Sequence, residues 1–279
     1  MNARQLKIAL AVAVRAAGAA GTLMRQNLHA AKLVNEATQF DIKLELDVRC
    51  QRTIEKTLRR TFPGIPLLGE EGDSGSVNGE YRWVVDPIDG TVNYAYGIPH
   101  ACVSVALQRR AHDRKSAVRS GSRTKPHQSR IPAYDSMVGV VYDPFQQEWW
   151  TAVRGGPARL NRRVIHVSRA RELNRCIVAM GFGKTKPSLE RGLPYFARLS
   201  RRVRKVRMMG AAALALTYVA TGRFDAYIER SVSLWDVAAG KLIVECAGGS
   251  FWSEPVPGRQ KIRMIASNGF VQRKLPMPK

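Results

Sequence analysis

The stretch YRWVVDPIDGTVNYAYGIPHACVSVAL, Tyr81 to Leu107, decides how the rest of this chain is read. It opens on Trp83-Val84-Val85, an apolar run of the kind found in a buried strand. Pro87 has no N–H to give to a ladder, which places the end of that strand at Asp86. Asp89 and Gly90 read as a turn, Thr91 follows, and a second strand-like run covers Ala101 to Leu107. Asp86 and Asp89 thus stand at the mouth of a strand, converging on one point. Two carboxylates so close repel each other unless a cation lies between them. Hard oxygen ligands of this type suit Mg²⁺, Mn²⁺ or Ca²⁺. Gly90 and Thr91 add backbone N–H groups and a hydroxyl, which suit a phosphate. A simple D-G turn with a capping Asp would use the same residues.

Two further stretches bear on that choice. Gly69-Glu70-Glu71-Gly72 lies upstream in a Gly/Ser-rich loop, and Leu234-Trp235-Asp236-Val237-Ala238-Ala239-Gly240 lies far downstream. In order, G-E-E, D-P-I-D-G-T and W-D-x-A-A-G resemble the inositol monophosphatase family of Mg²⁺-dependent, lithium-sensitive phosphatases. The resemblance runs from the first helix to about Asn268. It implies an α/β fold, a layered αβαβα sandwich of the inositol monophosphatase / fructose-1,6-bisphosphatase type, commonly dimeric. Residues 1–279 would form a single domain.

Composition is compatible with that fold. The chain has 279 residues, 45% of them hydrophobic, ample for a core. No run reaches the ~18 apolar residues of a membrane span. Ile8 to Val14 is apolar behind Arg4 and Lys7, but Arg15 interrupts it. Leu6, Leu10, Ala13, Ala17, Met24 and Leu28 follow helical spacing and predict an amphipathic first helix. Cys50, Cys102, Cys176 and Cys246 are scattered, with no C-x-x-C pair. They read as reduced, mostly buried thiols of a cytoplasmic protein.

Along the chain, Asp47 can cap a helix with apolar face Cys50, Ile54 and Leu58, ended by Pro63 and Gly64. The loop after Gly69 is predicted to be mobile until something orders it. Gln108 to Asp135 is rich in Arg and Ser and departs from the family. It reads as a basic, disordered insertion at about 109–133. MVGVVY and EWWTAV form a hairpin around Asp143-Pro144. Val164 to Val167 and Cys176 to Met180 are two more strand-like runs. A basic strand then leads into Gly210 and an Ala-rich helix that Gly222 ends. Ala226 to Ile228 is a short strand, with Glu229 just past it. Asp236 begins the next helix, where it could be only a cap, and Ala238, Ala239 and Gly240 let the backbone pack closely there.

Phosphate monoesters resist hydrolysis because their charge repels nucleophiles. Catalysis therefore needs cations on the phosphoryl oxygens, an oriented water and a stabilised leaving group. No cysteine or serine nucleophile motif is present, so a metal-activated water is the natural attacker. The resemblance implies Mg²⁺ as cofactor, two or three ions, with Mn²⁺ as a substitute. It places Glu70, Asp86, the Ile88 carbonyl and Thr91 around one ion, and Asp86, Asp89 and Asp236 around another. Glu70 and Thr91 would orient the water, and Asp47 would hold Thr91. Leu44 replaces a threonine usual near Asp47. The backbone of Gly90 and Thr91 would hold the phosphate, while Asp89, Ala212 and Glu229 meet the substrate's hydroxyls. Val92 and Ala211 stand where the family has Thr and Ser or Thr, which predicts altered packing or substrate preference.

Relatives with this metal core act on inositol phosphates, fructose 1,6-bisphosphate, histidinol phosphate or 3'-phosphoadenosine 5'-phosphate. Thr91-Val92-Asn93-Tyr94 resembles the inositol branch, and Glu229 matches the glutamate that branch uses on ring hydroxyls. Inositol 1-phosphate is therefore the expected substrate. A different class of function follows from charge. There are 45 basic and 22 acidic residues, a formal charge of +23. Such a balance can serve nucleic acid or an acidic partner. Against it, no platform of aromatic and basic residues is present.

Overall fold

The computed structural model describes residues 1–39, 41–111, 134–183 and 185–276. Its elements in chain order are α1 (Ala3–Asn27), β1 (Val34–Ala37), β2 (Ile42–Leu44), α2 (Glu45–Arg59), β3 (Leu67–Gly69), β4 (Tyr81–Asp89), α3 (Thr91–Ala95), β5 (Cys102–Arg110), β6 (Tyr134–Asp143) and β7 (Glu148–Val153). They continue as β8 (Arg159–Leu160), β9 (Arg163–Val164), β10 (Ile177–Met180), α4 (Lys186–Ser200), β11 (Lys205–Arg207), α5 (Ala212–Ala220), β12 (Ala226–Ser233), α6 (Leu234–Cys246), β13 (Ser250–Pro255) and β14 (Lys261–Ser267).

Beside a separate two-stranded antiparallel sheet of β1 and β2, two large sheets organise these elements. One has seven strands in the order β3-β4-β5-β6-β7-β8-β9, the other five in the order β11-β10-β12-β14-β13. Helices α1 and α2 cover the outer face of the first sheet, with a core that includes Val12, Ala16, Ile54, Trp83, Val85 and Val140. Helices α5 and α6 lie between the sheets, where Leu214, Leu216, Leu242 and Ile243 meet Val84, Val141 and Ala266. Helix α4 covers the second sheet through Tyr195 and Leu199 against Val178 and Ile228. The layers are therefore α, β, α, β, α, the expected sandwich.

Small residues set the close approaches. A Cβ on Gly21 of α1 would collide with the Tyr142 ring, and Tyr142 itself stacks on Trp149 of the next strand at 3.6 Å. By length and composition α1 could cross a membrane. Here its stripe of Leu6, Ala9, Val12, Ala13, Ala16, Ala17, Ala20 and Met24 is buried in the core, as in a helix laid on a sheet.

Several expectations need correction. Strand β4 does not stop at Asp86 but runs through Pro87 to Asp89, with a register shift against β5 between Asp86 and Asp89. That irregularity is where a residue without an N–H is tolerated in a sheet. Helix α2 ends at Arg59, before Pro63, and its N-cap is Leu44 rather than Asp47. Val164 to Val167 is not a strand, because only Arg163–Val164 pairs, with β8. β12 extends to Ser233, so Glu229 lies inside a strand. Helix α6 is capped by Ser233, with Asp236 in its first turn. At the basic insertion, β5 and β6 pair as far as Arg110 and Tyr134, so Arg109 and Arg110 belong to the sheet. Residues 112–133 lie outside the described residues.

Candidate active site

Three carboxylates reach one place by three routes. Gly69 of β3 pairs with Val85 of β4 in parallel register, so Glu70, the next residue, stands beside Asp86. Asp86 pairs with Ser104 of β5. The Ser104 hydroxyl donates to the Trp235 carbonyl at 3.2 Å, and the Ser136 hydroxyl donates to the Ala238 carbonyl at 2.9 Å. A Cβ on Gly139 would meet the Ala239 carbonyl oxygen at 2.8 Å. These contacts press the first turn of α6 onto the sheet and deliver Asp236 to Asp86. One oxygen each of Glu70, Asp86 and Asp236 lies within 4.8 Å of the others.

Asp89 takes a different path from the one expected. It lies outside the trio that meets within 4.8 Å, though near enough to act on Asp86, and its oxygens turn to the start of α5. Ala212 and Ala213 donate their N–H groups to its two oxygens at 3.1 and 2.6 Å. The N–H of Ala212, a predicted substrate contact, is thereby occupied. Asp236 Oδ2 accepts the Ser233 N–H at 3.0 Å, which fixes its orientation.

The electrostatics follow from crowding. Asp86 is almost fully buried. Burial first, then Glu70, Asp89 and Asp236, raise its pKa well above the carboxylate range. Burial and Asp236 push Asp89 up to about 7, against the opposing pull of the Ala213 and Ala212 N–H groups. An all-oxygen set with buried Asp86 between half-buried Glu70 and Asp236, in which these neighbours discourage the ionisation of Asp86, fits a hard divalent cation.

The D-G-T turn adds its own geometry. Gly90 has φ +94°, and a Cβ there would meet the His100 carbonyl oxygen at 2.9 Å. The left-handed conformation and the close approach both require glycine. The Thr91 hydroxyl donates to the Ile88 carbonyl at 2.9 Å, and the Ile88 N–H donates to Asp86 Oδ1 at 3.0 Å. Asp47 Oδ2 accepts the Leu44 N–H at 2.7 Å from inside the first turn of α2.

Glu70, Asp86, Ile88, Asp89, Gly90, Thr91, Ala212, Glu229 and Asp236 all line one cavity of about 400 Å³. Asp47 is not among its lining residues. Glu229 is 5% exposed, and its Oε2 accepts the Tyr227 hydroxyl at 2.6 Å. Burial pushes its pKa up to about 8, with Tyr227 pulling down and Asp236 pushing up. It is thus a cavity wall residue, not the exposed turn residue that its type favours.

Sequence reading missed Gln51. Its Oε1 accepts the Glu71 N–H at 3.0 Å and its Nε2 donates to the Gly72 carbonyl at 2.9 Å. The Gly/Ser-rich loop carrying Glu70 is thus held by α2, where mobility was expected. The glycine after Leu68 was the available signal, because any Cβ at Gly69 would collide with the Gln51 side chain. Lys261, Tyr227 and Ser233 also line the cavity and carry no motif.

Known proteins resemble this chain over most of its length. The model of the inositol monophosphatase family matches residues 5–117 and 134–264. A Xylella fastidiosa protein named Nus factor SuhB is 36% identical over 275 residues, 94% of this chain and 90% of that protein. An inositol-1-monophosphatase of Rhizobium meliloti is 36% identical over 228 residues, 79% and 74% of the two chains. Among solved structures, the extragenic suppressor protein suhB from Bartonella henselae superposes with a TM-score of 0.80 at 30% identity, covering 96% of each chain.

Proposed function

This chain belongs to the inositol monophosphatase family, and from that premise we propose that it hydrolyses a small polyol or sugar phosphate, inositol 1-phosphate first among them, with divalent-cation help. The observation that carries this reading is the meeting of Glu70, Asp86 and Asp236 within 4.8 Å. Glu70, Asp86, Asp89, Asp236 and the Ile88 carbonyl would hold two or three Mg²⁺ ions, with Mn²⁺ as a substitute. When bound, such ions neutralise phosphoryl charge and lower the pKa of water. The chain's own residues do the rest. Glu70 and the Thr91 hydroxyl orient the attacking water, and Asp47 steadies the Thr91 segment. The Gly90 and Thr91 backbone cradles the phosphate. Glu229, stiffened by Tyr227, accepts the hydroxyls of the polyol beside Asp89, whose carboxylate Ala212 orients through its N–H.

The test is phosphate release by purified protein with Mg²⁺ from a panel of monoesters. The panel includes inositol 1-phosphate, histidinol phosphate, fructose 1,6-bisphosphate and 3'-phosphoadenosine 5'-phosphate. Inositol 1-phosphate should give the highest kcat/KM, and a better relative would move the substrate assignment.

A homodimer in the cytoplasm is part of the same proposal. The four free cysteines support the compartment, and light scattering tests the dimer. A second role as a nucleic-acid or acidic-partner binder is favoured by one local feature. Arg201, Arg202, Arg204, Lys205 and Arg207 are exposed except for their neighbours Val203 and Val206, and β11 is an edge strand. Binding to random RNA should survive at physiological salt if this role is specific.

A further inference from the structure

The turn between β13 and β14 lies outside every motif, yet it touches both arms of the carboxylate site. Gln260 there adopts φ +54°. On one arm, Arg259 Nη2 donates to Asp73 Oδ1 at 2.7 Å, in the same loop as Glu70. On the other, the Arg259 guanidinium lies 5.4 Å from the ring centre of Trp235, the neighbour of Asp236. The Gln260 carbonyl accepts the Leu234 N–H at 2.9 Å. Lys261 Nζ donates to the Ser233 hydroxyl at 3.3 Å, and Ser233 is the residue whose N–H holds Asp236.

The carboxylates supply the reason for a brace. Three of them within 4.8 Å repel one another before any cation arrives. Asp86 sits inside a paired strand and Asp236 inside a helix. The Gly/Ser-rich loop of Glu70 is the part best able to yield. Gln51 holds that loop near Glu71 and Gly72. Asp73, further along, is held by Arg259. Resting on the cation site proposed above, we infer that Arg259 is a positioning residue: by bridging Asp73 and the face of Trp235 it keeps the Glu70 loop against α6, so the site is assembled in advance of its cation. The Arg259 side chain is 52% exposed, so its ion pair is screened and its effect is modest. The flat guanidinium on the indole adds a contact that a point charge would not make.

The experiment uses full-length Arg259→Gln, Asp73→Asn and the double variant. Amide exchange over residues 70–79 is followed by mass spectrometry in chelator, and Mn²⁺ binding is measured by calorimetry. Both single variants should exchange faster in that loop with an unchanged melting temperature. Their Kd for Mn²⁺ should rise about threefold to fivefold, the scale of one surface charge contact. The double variant should be no worse than Arg259→Gln alone, because both changes remove one contact. Unchanged loop exchange and unchanged Mn²⁺ affinity in both singles, or fully additive losses in the double, would overturn the inference. If the wild-type protein binds no Mn²⁺, the proposed cation site falls and this inference with it. Wild-type binding with unaltered variants removes the brace alone.

Discussion

Tyr227 donates its hydroxyl to Glu229 Oε2 at 2.6 Å within the cavity wall. Both residues lie on β12, two apart, so their side chains share one face of the strand. The phenol occupies one carboxylate oxygen and leaves the other for a ligand. Because a carboxylate can accept from two neighbouring ring hydroxyls, Glu229→Gln should reduce kcat/KM for inositol 1-phosphate by ~1.5–3 kcal/mol, the worth of a hydrogen bond to a charged group. Glycerol 2-phosphate, which lacks the ring, should lose much less. Equal losses on both would assign Glu229 to the metal site. No loss on either would remove the main residue-level reason for an inositol substrate.

In the cation-free protein Glu229 also sets a pH dependence, whereas bound cations and substrate hydroxyls would favour its ionised, accepting form. Its pKa is 4.5 in an ordinary setting and about 8 in the fold. Between those values the folded protein holds a proton that the unfolded chain has released, so stability falls as pH rises through this window. Asp86 and Asp89 are shifted in the same direction. In chelator, denaturant midpoints should therefore drop from about pH 5 to about pH 8. Glu229→Gln should flatten the slope. A flat profile over this window would show that these carboxyls are ionised in the folded protein.

Gly90 is strictly a backbone residue. Its φ of +94° and the His100 oxygen 2.9 Å from any Cβ predict that Gly90→Ala costs at least ~1–2 kcal/mol of stability. Thr91 would shift with it, so kcat should fall more than KM rises. Urea unfolding and steady-state kinetics on the same preparation check both parts.

The basic insertion should be dispensable. The family model passes over residues 118–133, and extra loop length costs stability only slowly. Joining Ala111 to Tyr134 by a short Gly/Asn turn keeps the paired ends Arg110 and Tyr134. The deletion variant should retain kcat/KM within about tenfold, ~1.4 kcal/mol. A folded variant without activity would place the insertion in the site.

The layers and the carboxylates were legible because their signals are contiguous. Alternating apolar runs and Gly, Pro and Asp punctuation survive in a one-dimensional reading, and each ligand candidate sits in its own short motif. What stayed hidden depends on partners distant in sequence. Gln51 looks like any polar residue on an amphipathic helix until Gly69 admits its side chain. Asp89 reads as a partner of Asp86 in the sequence, and the two N–H groups at the start of α5 that also bind its oxygens carry no signal there. Arg259 and Asp73 meet across 186 residues with no periodicity to announce it. Pro87 misled because the rule that proline ends strands lapses where a ladder shifts register.

The cation site proposed at Glu70, Asp86 and Asp236 is what would make this chain a phosphatase. It is tested most directly by phosphate release from inositol 1-phosphate, first in excess chelator and then after Mg²⁺ is restored, for wild type and Asp86→Asn. Wild type should be silent in chelator and recover fully with Mg²⁺, while Asp86→Asn stays folded and inactive in both. Appreciable wild-type turnover in chelator, or a fully active Asp86→Asn, would contradict the account.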